Sequence, residues 1–287
     1  MEIEVKGHSG CSIDIVREGK NLFIYKCSED PKYLDRLEKQ AFKQIYASKY
    51  EYQHTRIPQI YSVDKTDDKV TVKMEYVYSK NFIAYFESAG FEQISYFIKA
   101  LVLFIEKELK ESPVQSVDIN VVLDKFKDVA IKLNSNPLIC NDKEVLDLYH
   151  QSERIFCDLK QIEMPVGICH GDLTFSNILF NGNNYYLIDF LDSFIESPLL
   201  DIVKIRQDSA YLWSQLMYIN EFDYTRLQII SEKIDADINE YFNQYDWYRK
   251  YYRLFQLMNF WRILQYAKEE KVINYLKKVI KSLGYEF

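Results

Sequence analysis

The segment ICHGDLTFSNILF, residues 168–180, sets His170, Asp172 and Asn177 between two runs of Ile, Leu and Phe. Polar side chains that converge between apolar strands need partners, and a bound ligand can supply them as well as protein groups can. The spacing is H-x-D-x-x-x-x-N, and a second apolar strand, YLIDF, carries Asp189 at its end. NGNN between the two is a turn-forming cluster suited to a hairpin, so the strands bring Asn177 and Asp189 to the same end of it. An amide oxygen and a carboxylate, both hard ligands, suit a magnesium ion that keeps its waters and binds substrate phosphates. Asp172, on the turn ahead of the first strand, is then placed to orient or deprotonate a hydroxyl. Such a layout fits phosphoryl transfer, where catalysis is mostly positioning and charge neutralisation.

Protein kinases use H-R-D-x-x-x-x-N followed by the aspartate of D-F-G. Here Gly171 replaces the arginine, Leu191 follows Asp189-Phe190 where a glycine would stand, and no A-P-E-like segment comes after. These departures point away from protein kinases. At the same residues the chain resembles the aminoglycoside phosphotransferase and choline kinase superfamily, marked by H-G-D-x-x-x-x-N and a strand ending I-D-F or I-D-W. ESPLLDIVK is similar to that family's G-D-P-x-x-D-L segment: Pro198 and Asp201 match, whereas Glu196 and Ser197 replace its glycine and first aspartate. The likeness extends to the N-terminal part and leaves out only the C-terminal helices. It implies a two-lobed, protein-kinase-like α+β fold and transfer of the terminal phosphate of ATP, or of GTP, as its Mg2+ complex. The implied acceptor is a hydroxyl of a small metabolite, such as a sugar or an amino alcohol like choline. An aminoglycoside-modifying enzyme and a non-catalytic nucleotide-binding pseudokinase are the alternatives.

By the same resemblance the N-terminal part holds the nucleotide. KGHSGCSIDIV puts Gly7, Ser9 and Gly10 between two strands, where glycines let backbone N–H groups approach phosphates; a plain hairpin turn reads the same way. Ser9 and Gly10 are therefore candidate phosphate contacts. Lys26, mid-strand in LFIYKCS, can reach nucleotide phosphates with its ammonium. The resemblance puts the lysine's partner on the helix that follows, where Glu38 shares a face with Leu34, Ala41 and Ile45, and Asp35 and Gln40 are close enough to leave the choice open. Around VKMEYVYSK an apolar strand passes into a polar connection, and Glu75 and Val77 are implied to meet an adenine edge through their main chain. His170 reads as a brace for the catalytic turn and Asp201 as its stabiliser. Asp192 either faces substrate or caps the next element.

The elements that must position these groups follow from periodicity. CSIDIV, NLFIYKC, QIYSV and KVTVKMEYV are short, partly alternating and rich in Ile, Val and Tyr, the pattern of strands, as is EIEVKG before them. One helix interrupts them between Pro31 and about Tyr50. After YSKN the spacing is helical over about 91–111, 116–134 and 142–162, and strand character returns only at SNILF and NYYLIDF. From about residue 199 onward the chain reads as further helices. The division is a small sheet lobe over 1–77, joined near residues 74–80 to a mainly helical lobe over 78–287.

Composition limits the function classes. A chain of 287 residues can bury a sizeable core, and 48% apolar with 28% charged residues excludes a disordered or fibrous chain. The longest apolar run, YFIKALVLFIEKEL, carries Lys99 and is too short to span a bilayer, and MEIEVKGHSG lacks the apolar core of a signal peptide. The expectation is a cytoplasmic protein with no membrane partner. The five cysteines are widely spaced and odd in number, as for thiols in a reducing compartment, and His8, His54 and His150 have no ligand-like neighbours. A net charge of -7 argues against a nucleic-acid partner.

The acceptor is expected between the catalytic turn and the C-terminal helices. Most aromatics of YFNQYDWYRKYYRLFQLMNFW must be helix core, yet their surplus suits a pocket that stacks on a sugar ring or faces an ammonium group. EKIDADINEYF offers Glu232, Asp235, Asp237 and Glu240 to a polycation, although helical spacing also fits a solvated face. The balance favours a neutral or singly charged hydroxylated metabolite over a polycationic antibiotic.

Overall fold

In a computed structural model of the chain, which describes residues 11–285, the alternating N-terminal segments become strands β1 (Ser12–Glu18) and β2 (Asn21–Ser28). Gly7, Ser9 and Gly10 lie outside the described residues. Helix α1 (Leu34–Ala47) follows, then β3 (Thr55–Arg56), β4 (Ile60–Lys65) and β5 (Val70–Glu75). β1, β2, β5 and β4 form, in that spatial order, one antiparallel sheet. The helical spacing seen in the sequence has a direct physical consequence. Leu34, Leu37 and Ala41 turn one face of α1 onto Val70 and Val72 of β5, giving this lobe a small core of its own.

β3 does not join that sheet. It pairs in parallel with β9 (Asn184–Leu187), the second strand of the hairpin begun by β8 (Ile178–Asn181), and so ties the segment after α1 to the larger lobe. The connection after β5 is pinned to the same hairpin: Lys80 and Phe180 exchange backbone hydrogen bonds of 2.8 and 3.0 Å. Beneath the hairpin, Tyr85 stacks on Phe180 at 4.3 Å, and Phe86 and Phe97 pack edge-on or tilted against Phe175 and Phe180. Aromatic packing of this kind fixes the platform from which the His170–Asp172 turn projects.

The larger lobe is mainly helical, with α2 (Phe82–Ser88), α3 (Phe91–Lys110), α4 (Ile119–Asn134) and α5 (Lys143–Cys157) before the hairpin. After it come α6 (Pro198–Ser209), α7 (Trp213–Leu216), α8 (Tyr224–Phe242), α9 (Asp246–Leu264) and α10 (Glu270–Gly284). Two strands are absent from the sequence reading: β6 (Val114–Val117), at the junction of two expected helices, pairs antiparallel with β7 (Ile162–Pro165), which begins where another expected helix ends. Four residues are too few to show an alternation against adjoining helical spacing. The α+β architecture is otherwise the two-lobed, kinase-like one expected. Among the described residues no helix is long and apolar enough to cross a membrane.

Candidate active site

Pairing of Ile178 with Leu187 sets the register of the hairpin, and Ile188 N–H donating to Asn177 O at 3.1 Å extends it by one step. Asn177 and Asp189 therefore leave the same end of the hairpin. Asp189 takes a left-handed backbone, φ 62°, a conformation that aspartate tolerates better than most residues. Its Oδ1 accepts from Lys26 Nζ at 2.7 Å, so the lysine of β2 reaches across the cleft to the end of the hairpin. Burial would lower the pKa of that ammonium, and the Asp189 carboxylate more than reverses the effect, leaving it raised.

Asp172 is held at both oxygens. Lys204 Nζ lies 3.0 Å from Oδ1, and Asn177 Nδ2 donates to Oδ2 at 2.9 Å and to the Asp172 carbonyl at 2.8 Å. Burial pushes the Asp172 carboxyl upward, but the Lys204 charge and hydrogen bond outweigh it, so the pKa falls below the usual carboxylate range. Asp172 is thus an anion at neutral pH. His170 is wholly buried; its Nδ1 accepts from Asp172 N–H at 3.2 Å, which leaves Nε2 to donate to Ile188 O at 2.9 Å. Burial lowers its pKa to about 4, so the ring is neutral and braces the turn against the Asp189 segment.

A helix beneath the turn organises these groups. Ser197 caps α6 by accepting from Leu199 N–H, and Pro198 occupies the first turn, where its missing N–H is harmless. Asp201, Lys204 and Asp208 then recur on one face. Asp201 accepts the backbone N–H groups of His170 and Gly171, the latter at 2.7 Å, while Asp208 accepts those of Phe175 at 2.6 Å and Ser214 at 3.0 Å. Burial raises both carboxyls to about 6. The stabilising role expected of Asp201 matches these contacts. Lys204 and Asp208 were not singled out in the sequence, although the spacing D-x-x-K-x-x-x-D within DIVKIRQD carries the signal.

Gly171, where protein kinases have arginine, has φ 89°, and a Cβ built on it would lie 2.0 Å from Leu191 O. The turn packs against the Asp189 segment too closely for any side chain. Gly171→Ala is accordingly expected to cost about 3 kcal/mol or more of folding stability. Urea unfolding of the purified variant measures it, and a loss below about 1 kcal/mol would show that the turn relaxes freely.

Some expected contacts are not made. Glu38 does not meet Lys26; its carboxylate accepts from Lys65 at 2.8 Å, as does Asp35 at 2.7 Å, and Gln40 bonds Tyr33. Leu37 and Ala41 turn inward, so the carboxylates of α1 point along its outer flank. The group that α1 does send to the site is Lys43, whose Nζ donates to Leu191 O and Glu196 Oε2, both at 2.6 Å. Glu196 also accepts from Ser193 N–H at 2.8 Å. Asp192 neither caps nor pairs among the described residues and is exposed. Glu75 ends β5 with its N–H donated to Gln59 O at 2.8 Å, whereas the Val77 N–H has no intramolecular partner among the described residues. Most aromatics of α9 are core: Trp261 donates to Ser152 at 3.0 Å and Tyr248 OH accepts from Arg206 at 2.6 Å, whereas Tyr251 is half-buried. Of the aromatics in that run, Phe255 lines the cleft beside Gly171. A wider cleft on the N-terminal sheet, lined by Asp14, Tyr25, Lys69 and Thr71, holds none of the groups above.

The donor set fits a divalent ion. Asn177 Oδ1 and Asp189 Oδ2 have no protein partner among the described residues, and two hard oxygens are what magnesium needs when phosphates and water fill its remaining positions. Among the described residues no cluster of three or more His, Cys, Asp or Glu forms a closed metal cage.

The model of the phosphotransferase enzyme family APH matches residues 133–226, the stretch that holds the HGD turn, the hairpin and α6. Among solved structures, the GDP and kanamycin complex of APH(2")-IIia is 15% identical, with TM-score 0.57 over 96% of this chain and 93% of its own. A choline/ethanolamine kinase family protein from Mesorhizobium loti is 13% identical, with TM-score 0.56 over 97% and 87%. An aminoglycoside-3'-phosphotransferase of type VIII is 13% identical, with TM-score 0.54 over 99% and 92%. The resemblance to the aminoglycoside phosphotransferases and choline kinases holds. No curated protein matches in sequence. Glu196 and Ser197, which depart from the family's segment, have work of their own: Glu196 receives Lys43 from the other lobe, and Ser197 donates to Pro165 O at 2.6 Å while capping α6.

Proposed function

We propose that this chain is a small-molecule kinase that moves the terminal phosphate of ATP onto a hydroxyl of a small metabolite. One observation carries the proposal. Asp172 is kept anionic and aimed by Lys204 and Asn177, beside an Asp189 whose other oxygen is already engaged by Lys26. The acceptor hydroxyl gives its proton to Asp172 as its oxygen bonds to the terminal phosphorus, and the bond from that phosphorus to the bridging oxygen breaks to release ADP. Lys26, in β2, faces the phosphates from the N-terminal lobe, and the free Val77 N–H offers a donor to the base. Magnesium, held by Asn177 and Asp189, would supply positive charge against the phosphate oxygens.

The acceptor favoured here is a small hydroxylated metabolite and not a polycation. Three of the four α8 carboxylates that could bind amines have protein partners: Asp235 forms a bidentate pair with Arg206 at 2.8 and 2.9 Å, Asp237 pairs with Lys233, and Glu232 accepts from Gln228, which leaves only the exposed Glu240 without a partner among the described residues. Incubating the purified protein with Mg-ATP and a panel of sugars, amino alcohols and aminoglycosides, with product mass as readout, tests this. Phosphorylation of aminoglycosides with the other members inert would overturn the acceptor class. Stabilisation by Mg-ATP with no transfer to any member and no ATP hydrolysis would make the chain a nucleotide-binding module.

Lys204 sets the state of the base, and a pH profile reads this directly. Without it, burial dominates and the Asp172 pKa rises. The acid limb that Asp172 gives to kcat/KM should therefore lie at higher pH in Lys204→Met than in the wild type. Identical profiles would mean that Lys204 does not tune the base.

A further inference from the structure

A narrow cleft opens beside the catalytic turn between the segment after Asp189 and helices α6 and α9. Gly171, Ser193, Phe194, Lys204, Asn259 and Arg262 are among the residues that line it. Its polar groups are amide, hydroxyl and two cations, with no carboxylate among the lining residues. Lys204 is engaged by Asp172. Arg262 is not engaged: its guanidinium lies 5.2 Å over the Phe194 ring and has no hydrogen-bond or ion-pair partner among the described residues. An arginine elsewhere in this lobe shows the contrast, since Arg206 is satisfied by Asp235, Asn239 and Tyr248 together. The half-buried guanidinium reaches solvent in the cleft, where a ligand anion of matching geometry could take the place of water. Its surroundings sharpen the point: burial lowers the Arg262 pKa and the like charge of Arg36 on α1 adds to this, with Asp172 acting in the opposite direction.

We propose that the acceptor carries an anionic oxyacid group, carboxylate or phosphate ester, seated on Arg262 in this cleft with Lys204 at its edge, so that a hydroxyl of the same molecule reaches Asp172. The inference rests on the kinase reading and narrows its acceptor class from hydroxylated metabolites to hydroxylated acids. A planar guanidinium gives such a group two parallel hydrogen bonds, fixing orientation as well as affinity. The cleft itself is small, about 10 Å³, so it takes the oxyacid group at its mouth and leaves the carbon skeleton outside.

Matched acceptors test it with the full chain and Mg-ATP: glucose against glucuronate and glucose 6-phosphate, and glycerol and choline against glycerate, with product mass and KM as readouts. The acid members should be phosphorylated in preference to their neutral and cationic counterparts, with a KM that rises with salt. Glucuronate and glycerate against glucose 6-phosphate decide between carboxylate and phosphate. R262Q should raise the KM of the acid acceptor about tenfold or more while leaving the KM for ATP and the slow hydrolysis of ATP by water unchanged. R262K should recover part of the loss, because it restores the charge without the fork. Transfer confined to neutral or cationic members would overturn the anion seat and leave the kinase reading standing. A drop in R262Q that is equal for every acceptor and for hydrolysis would place Arg262 on the transferred phosphate, and overturn it too. Absence of any transfer and of any hydrolysis would remove the kinase reading, and the proposal with it.

Discussion

Asp172→Asn is expected to lower the rate of phosphate transfer by about 10²-fold or more while nucleotide affinity changes only a few-fold. The asymmetry follows from where the carboxylate sits. Both of its oxygens accept from donors on the chain, Lys204 and Asn177, and neither touches Lys26 or Asp189. An asparagine keeps the shape but offers one acceptor oxygen to two donors, so its amide must face either the Lys204 ammonium or the Asn177 amide. Proton acceptance is lost and the side chain is turned, whereas the nucleotide contacts are untouched. The variant should also be less stable by about 1–3 kcal/mol, since one buried donor loses its partner. Thermal unfolding separates that loss from the chemical one. A folded Asp172→Asn chain with wild-type turnover would remove Asp172 from the reaction.

Much of this site could be read from the chain, because spacing on a hairpin is set by the covalent backbone. Asn177 and Asp189 flank a hairpin closed by a two-residue turn, so their convergence follows from pairing alone. Residues that act across longer sequence separations were harder to see. Lys204 reaches Asp172 from α6, Lys43 reaches Glu196 from the other lobe, and Arg262 enters the cleft from α9. Each sits in a helix whose charge pattern looks like a solvated face until its neighbours are known. Lys26 shows the opposite failure. Its need for an acid was legible, but the nearest helix was the wrong place to look, since Leu37 and Ala41 take the inward face of α1 and Lys65 collects Asp35 and Glu38 outside. The short strands β6 and β7 escaped for a third reason, being shorter than the window in which any period shows.

Asp189→Ala is expected to abolish both magnesium-dependent nucleotide binding and turnover, and a second substitution distinguishes the causes. The alanine removes a carboxylate that pairs with Lys26 on one oxygen and leaves the other open to a metal. It also leaves the Lys26 ammonium, whose side chain is 7% exposed, without its counter-charge. A fully buried orphan of this kind costs about 3–5 kcal/mol, and because Asp189 is itself 42% exposed the loss here should be nearer to about 2 kcal/mol. A non-glycine side chain other than Asp or Asn at the left-handed backbone of position 189 adds roughly 1 kcal/mol. Lys26→Met in the same chain removes the orphan ammonium and should restore most of the electrostatic part of that stability, a coupling that a double-mutant cycle measures. It should restore no activity, because neither the metal ligand nor the phosphate-facing ammonium returns. Calorimetric titration of Mg-ADP reads the binding arm independently of any acceptor. If the Asp189→Ala chain binds Mg-ADP as tightly as wild type, Asp189 is only the partner of Lys26 and the metal must be held elsewhere.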